Sequence, residues 1–422
     1  MEQIEILETI VTRACGLDVH KDTIKACIMR QGIEKQIQTF GTTTDDLLGL
    51  KTWLTDHNIS HIAMESTGVF WKPVFNILGD GFEIILVNAR YVKHVPGKKT
   101  DVLDCEWLCR LLRAGLLKGS FIPKDDIRQL RDLNRYQKKQ QEELIREKNR
   151  VQKVLQDCNI KLSSVLSDVF GKAGREILDM LIAGQDDVER LITPFYGNKK
   201  LQKKTEEARK ALKGKLNATH RLMLQTQLEH IRFIEKQISK IEYQINQIAG
   251  KHKADIANLI TMHGISEKSA NAIIAEIGTN MEVFPSERHI TAWAGLCPGN
   301  NESAGKNRKS RTRKGNKYLK SLMVECAWCA IKTQGSYFRA KYYSLVPRMG
   351  KKKAIVAIAR KMLVYAYFIL KNKVVFTDLG EDYILPAKQK EKVAKSLMRR
   401  LSNMGYQVIN ENGELKPEVA LT

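Results

Sequence analysis

The stretch ACGLDVHKDTIKACIMRQGIEKQIQTFG, residues 14–41, decides the fold. ACGLDVH, TIKACIMR and EKQIQTFG read as short strands, and the turn-like HKD and QGIE separate them. Strand-like runs so closely spaced predict a meander of three short strands. The pattern then changes. DDLLGLKTWLTDH reads as a helix, HIAMES as a buried strand, Val69 to Leu78 as a second helix and EIILVNA as a fifth strand. Antiparallel hairpins followed by β–α alternation predict a mixed sheet with helices packed on it.

Four carboxylates occupy telling positions on that sheet. Asp18 sits on the first strand and Glu65 ends the fourth. Asp101 and Asp104 begin the helix after the fifth, in GKKTDVLDCEWLCRLLRAGLL, residues 97–117. Two carboxylates three residues apart at a helix start share a face and can hold one divalent ion. Strand ends and helix starts are also where a sheet presents ligands to a crevice. A lone strand acid is ordinarily a turn or surface charge, and a DxxD pair alone is nearly uninformative. Four acids in these places carry more weight. Lys93, Lys98 and Lys99 lie just upstream. Acids amid bases, in a chain of net charge +23, point to a metal site acting on a polyanion.

The 422 residues suffice for two or three domains with real cores, and 43% hydrophobic content makes the chain globular. The charge favours nucleic acid over an anionic membrane surface. No apolar run approaches the roughly 20 residues of a membrane span, and the acidic MEQIEILE is no signal peptide. Eight cysteines without disulfide-like spacing fit a reducing cytosol. Cys326 and Cys329 form a CxxC inside a helical pattern with no second ligand pair, so they read as small buried residues rather than zinc ligands.

From Ile127 to Gly250 the sequence is long, charged and helical. Ile231, Ile234, Ile238, Ile241, Ile245 and Ile248 recur at spacings of three and four, a coiled-coil seam. The helix RQLRDLNRYQKKQQEELIREKNRVQKVL can pair antiparallel with it or with another subunit, and the two arrangements stand level. LITMHGISEKSANAIIAEIG, residues 259–278, resembles a helix-hairpin-helix that offers backbone N–H groups to phosphate; a packing turn is the plainer alternative. Residues 306–320 then hold eight basic side chains and no acid. Over residues 301–372 the balance is 18 − 2 = +16. A basic loop is usually a solvated face. Placed between apolar segments, with Trp293 before it and Tyr318 after, it reads better as a phosphate-backbone contact. RMGKKKAIVAIARKMLVYAYFIL adds an amphipathic helix with a basic mouth at Lys351, Lys352 and Lys353.

Several motifs, in order, resemble one family. GLDVHKD, AMESTGVFWKPVFNIL, VNARYVKHVPGKKTDVLDCEWLCRLLRAGLL, FIPKDDIRQLRDLNRY, AGLCPGNNESAGKNRKSRTRKGN and YYSLVPRMGKKKAIVAIA look like the DEDD insertion-sequence transposases of the "one-ten" family. Those are bridge-RNA-guided serine recombinases. The resemblance implies an α/β plus all-α chain. Residues 10–125 would be a RuvC-like catalytic domain of the RNase H fold, 126–250 a helical coiled coil and 251–375 a transposase domain, with a tail, 376–422, of no assigned role. It maps the acidic quartet, as Mg²⁺ or Mn²⁺ ligands, onto Asp18, Glu65, Asp101 and Asp104. The catalytic serine falls in ESAGK, at Ser303. Leu103 and Cys105, flanking Asp104, depart from the residues relatives often carry.

The family's serine forms a covalent DNA intermediate that conserves the phosphodiester energy for rejoining. Lys306, Arg308 and Arg311 are candidates to offset transition-state charge, and Ser310 is the competing nucleophile. Lys98, Lys99, Lys306, Arg308, Lys309, Arg311, Arg313, Lys314, Lys317 and Lys351 to Lys353 are the expected nucleic-acid contacts. The expected partners are the DNA of donor and target, a guide RNA and further copies of the chain as a homodimer or tetramer. The setting would be the bacterial cytoplasm at the nucleoid, with no membrane. Two other readings stay open: a RuvC-like junction resolvase that uses metal-activated water, and a non-catalytic nucleic-acid scaffold.

Overall fold

The computed structural model describes residues 10–30, 32–66, 68–88, 92, 103–197, 199–299, 312–384 and 396–406, with residues 33, 302–303 and 306–307 as backbone only. The chain divides into two compact units, residues 1–122 and 123–422.

In the first unit the expected strands form: β1 (Ala14–Val19), β2 (Ile24–Arg30), β3 (Ile33–Phe40), β4 (His61–Glu65) and β5 (Glu83–Val87). Their order in the sheet is β3-β2-β1-β4-β5. The meander pairs are antiparallel and the β1–β4 and β4–β5 pairs parallel, so the sheet is mixed. Helix α1 (Thr44–Asp56) opens on a capping box at Thr43 and Asp46. Together with α2 (Trp71–Leu78) it covers one face of the sheet, where Cys15, Leu17, Ile24, Ile28, Ile62 and Met64 bury themselves against Leu47, Leu50, Leu54 and Leu78. Helix α3 (Asp104–Arg113) packs on the other face, against Ala14, Cys27 and Ala63. The small residues of that face let the helix approach closely. A β-carbon built on Gly16 would lie 2.0 Å from the Cys105 carbonyl oxygen and 2.6 Å from the Cys109 nitrogen. This three-layer mixed α/β unit is compatible with an RNase H-like fold.

Among the described residues, the second unit is helical apart from one short hairpin and loops. Two long helices, α4 (Asp125–Asp157) and α5 (Ala218–Ala249), lie side by side. Their contacts run in opposite directions: Asp157 meets His220 at 3.0 Å, Glu147 meets His230 at 3.6 Å and Asp126 meets His252, just past the end of α5, at 3.1 Å. The pair is therefore antiparallel and formed within one chain. Ile231, Ile234, Ile241 and Ile245 are buried, while Ile238 and Ile248 are half-buried. Between the two helices, short helical segments build a core around Phe170, Ile177, Leu178, Ile192, Phe195 and Leu212.

After α5 come α6 (Lys253–Ile260), α7 (Glu267–Ile277) and α8 (Glu287–Trp293), then β6 (Glu302–Ser303) and β7 (Lys306–Asn307), then α9 (Lys317–Ala330), α10 (Tyr337–Met349) and α11 (Lys351–Asn372). Gly264, in the α6–α7 turn, has φ +82, and a β-carbon there would lie 2.4 Å from the Cys326 carbonyl oxygen. The turn's glycine thus seats the turn on α9, as the packing alternative requires. Residues beyond α11 reach the same turn. The Phe376 N–H donates to Thr261 Oγ1 at 2.8 Å, and Asp378 lies 3.0 Å from His263 and accepts from the Tyr337 N–H. The start of the tail is thus a strap over α6–α7. No helix among the described residues is long and apolar enough to cross a membrane.

Candidate active site

Pairing between β1 and β4 sets the positions of two carboxylates. The parallel register ends at Leu17↔Met64, so Asp18 and Glu65 are the next residue on each strand. Register-matched residues of a parallel pair point to the same face. Ala14, Gly16 and Ala63 place that face under α3. Asp104 is the first residue of α3, and the following residue touches Gly16. Asp18, Glu65 and Asp104 therefore belong to one edge of the sheet, at the C-terminal ends of its parallel strands. The Cys105 thiol registers this: burial chiefly, then Cys27 and more weakly the Asp18 charge push it up to about 11.

Asp101, Lys98 and Lys99 lie outside the described residues. Among the described residues, no three of the His, Cys, Asp and Glu side chains stand close enough to form a preassembled metal cluster. The donor set still suits a hard divalent ion. Asp18, Glu65 and Asp104 supply only carboxylate oxygens, and none of the three is buried. His20, which the sequence reading passed over, places Nε2 3.1 Å from Asp18 Oδ2. Its signal was the D-x-H spacing in GLDVH, since alternate residues of an extended segment share a side.

Ser303 lies on β6, whose pairing with β7 sets Ser303 opposite Lys306 and Glu302 opposite Asn307. Arg308, Lys309, Ser310 and Arg311 lie outside the described residues. The two limbs of the loop that bears this hairpin are fastened at its neck. Pro298 and Thr312 form an antiparallel bridge, the Arg313 N–H donates to the Cys297 carbonyl at 3.2 Å and the Asn316 N–H to the Trp293 carbonyl at 3.0 Å. Gly295 and Gly315 meet there: a β-carbon on Gly315 would lie 2.3 Å from the Gly295 nitrogen.

Below the neck, Arg313, Lys314 and Lys317 are exposed, and Lys317 lies 5.2 Å from the Tyr318 ring centre. Lys351, Lys352 and Lys353 are exposed on the first turn of α11. Cations at a helix N-terminus oppose the helix dipole, at about 0.3–1 kcal/mol each, and bound phosphate would relieve that. No described carboxylate pairs with Arg313, Lys314, Lys351, Lys352 or Lys353.

A buried polar hub near the neck was not anticipated. Glu276, on α7, is 3% exposed. It accepts from Arg135 at 2.8 and 2.7 Å and from Asn316 Nδ2 at 2.5 Å. Arg131 donates to the Ala275 and Glu276 carbonyls at 3.0 and 2.8 Å, satisfying the open end of α7. Burial, opposed by Glu276, lowers the Arg131 guanidinium to about 10. An acid inside the apolar run NAIIAEIG was the available signal, because such a residue needs a buried partner.

The CxxC reading holds for one cysteine. Cys326 is buried, and burial pushes its thiol up to about 11, whereas Cys329 is exposed.

Comparison with known proteins gives two family matches. Residues 15–160 match the profile of the DEDD transposases of IS110, described as a transposase, and residues 256–343 match that described as the transposase IS116/IS110/IS902 family. The chain is also similar to the pilin gene-inverting proteins of Moraxella bovis and Moraxella lacunata. Each is 22% identical to it over 374 residues, which cover 85% of this chain and 95% of theirs.

Proposed function

Because the chain belongs to the IS116/IS110/IS902 family of transposases, which are enzymes acting on DNA, we propose that it moves its own element by cutting and rejoining DNA through a serine nucleophile aided by a divalent ion. The observation that carries this reading is the gathering of Asp18, Glu65 and Asp104 at one sheet edge, with Asp101 adjacent in sequence. Those four would hold Mg²⁺ or Mn²⁺, which supplies positive charge to the scissile phosphate and its leaving oxygen. The mixed donor–acceptor character of His20 suits it to keep the Asp18 carboxylate turned toward the edge.

Ser303 Oγ would attack phosphorus, passing its proton to a base as the P–O bond to the leaving sugar oxygen breaks. The phosphodiester energy stays in the serine–DNA ester, and attack on that ester by a free DNA hydroxyl reseals a strand and frees the serine. A name such as "gene-inverting", borne by the Moraxella relatives, describes an outcome that needs each cut end rejoined. Lys306, Arg308 and Arg311, on the Ser303 loop, would offset the charge gained by the phosphate.

Phosphate backbone would lie along Arg313, Lys314, Lys317, the remaining basic residues of the loop, and the lysine mouth of α11, and Lys98 and Lys99, close before Asp101 in sequence, would add to it. An element-encoded bridge RNA is proposed as the guide on the family resemblance, and the same basic surface accepts either nucleic acid. Paired DNA ends call for more than one active site, so the working form is taken to be a homo-oligomer, a dimer or tetramer. The deciding experiment is Ser303→Ala beside Asp101→Asn on a DNA substrate with donor and target ends. Loss of strand transfer in both, and of a protein–DNA adduct in the first, is expected. Transfer that survives Ser303→Ala would instead favour a water-activating nuclease of the junction-resolvase kind.

A further inference from the structure

The hub at Glu276 and the neck of the serine loop share one residue, Asn316. Its side chain works in two directions. Oδ1 accepts from the Tyr318 and Leu319 N–H groups at 3.0 and 3.1 Å and so caps α9. Nδ2 donates to Glu276 Oε2 at 2.5 Å. Its backbone N–H closes the neck on Trp293. Glu276 is held in turn by both oxygens on Arg135, from α4, and the Arg135 guanidinium lies 4.6 Å from the ring centre of Tyr318, two residues past Asn316. Arg131, one turn earlier on α4, grips the carbonyl end of α7. A continuous set of charge-assisted contacts thus runs from α4 through α7 to the point where the loop bearing β6 and β7 rejoins the helical body.

We propose that Glu276 is a positioning residue for strand transfer, acting through Asn316 to hold the neck from which the Ser303 hairpin projects. The inference rests on Ser303 as the nucleophile and adds what sets that serine's place. Backbone fastenings alone register one limb of the neck against the other. The Glu276–Asn316 contact registers the pair of limbs against α7 and α4. A nucleophile misplaced by about 1 Å loses on the order of a hundredfold in rate. A contact that fixes the root of its loop therefore acts on the chemical step and not on DNA affinity.

The test uses the full chain. Asn316→Ser keeps an oxygen to cap α9 and removes the donor to Glu276. Three quantities are measured: DNA affinity, the single-turnover rate of strand transfer at saturating protein, and amide exchange at Arg313 and Asn316. The expected result is unchanged affinity, a rate lower by about a hundredfold, and faster exchange at the neck. A purely structural role would lower melting temperature and affinity together. Asn316→Asp, which keeps an oxygen to cap α9 and sets a second carboxylate against Glu276, should slow transfer at least as far. Faster exchange without a slower rate would overturn the proposal, as would unchanged exchange or an Asn316→Asp variant as fast as the wild type. Ser303→Ala is run alongside. Transfer persisting there refutes the serine reading by itself, while the neck measurements report separately on whether Glu276 holds the loop.

Discussion

Gly16 and Cys105 meet backbone to backbone, so closely that a methyl carbon on the glycine would lie 2.0 Å from the cysteine's carbonyl oxygen. This contact seats α3 on β1 and thereby fixes the start of α3, where Asp104 lies, beside the strand end that carries Asp18.

Gly16→Ala should therefore act twice. Neither the carbonyl oxygen nor the Cys109 nitrogen is the end of a flexible side chain, so the helix itself must shift. Overpacking of this kind costs about 1–3 kcal/mol. Chemical denaturation should show that loss. DNA cleavage under conditions where the variant remains folded should fall by more than the folded fraction does, because Asp104 moves with the helix. Full activity in the folded variant would detach Asp104 from the site.

Removing the divalent ion should stop cleavage and leave DNA binding largely in place. Chelation, and separately Asp18→Asn, Glu65→Gln or Asp104→Asn, should lower single-turnover cleavage by about a hundredfold to a thousandfold. Mg²⁺ or Mn²⁺ should restore the chelated wild type alone. Cleavage that proceeds at the normal rate in chelator would dismiss the carboxylate edge as a metal site.

The lysine mouth of α11 gives effects of opposite sign. Changing Lys351, Lys352 and Lys353 together to glutamine should raise folding stability, since each cation opposes the helix dipole by about 0.3–1 kcal/mol. The same change should reduce the slope of log affinity against log salt by about one unit for each lysine that lies on a phosphate. An unaltered slope would make the mouth a solvated face.

Thiol labelling of the native chain gives a check on packing. Of the eight cysteines, Cys329 is exposed and Cys297 half-exposed, and the other six are buried. Mass spectrometry after brief treatment should find Cys329 modified first and Cys297 next. Cys326, neutral because burial holds its thiol near 11, should react only on unfolding. Early modification of Cys105 or Cys109 would contradict the packing of α3.

Much of the first unit was legible because its signals are local. Short apolar runs bounded by turn-like segments mark β1 to β5, and a threonine with an aspartate three residues on marks the start of α1. The adjacency of Asp18 and Glu65 was not local, since it depends on β4 pairing with β1 in parallel across 47 residues of sequence. The long helices α4 and α5 were legible as helices with an isoleucine seam, but the partners of their charged residues were not. Arg131 and Arg135 are in fact partnered by α7 within the unit, and a charge does not announce a partner more than a hundred residues away. Cys329 misled for a related reason: composition cannot say which side of α9 faces the core.

The neck at Gly295 and Gly315 also bears on how such loops can be varied. Its closure is made by residues 293–298 and 312–316, outside the segment it encloses. Ends already held together make loop length cheap: doubling it adds only about 0.6 kcal/mol of closure entropy. A longer or shorter segment between Pro298 and Thr312 would inherit the same ready-made root, so a change of length there costs folding little and acts instead through where it leaves Ser303.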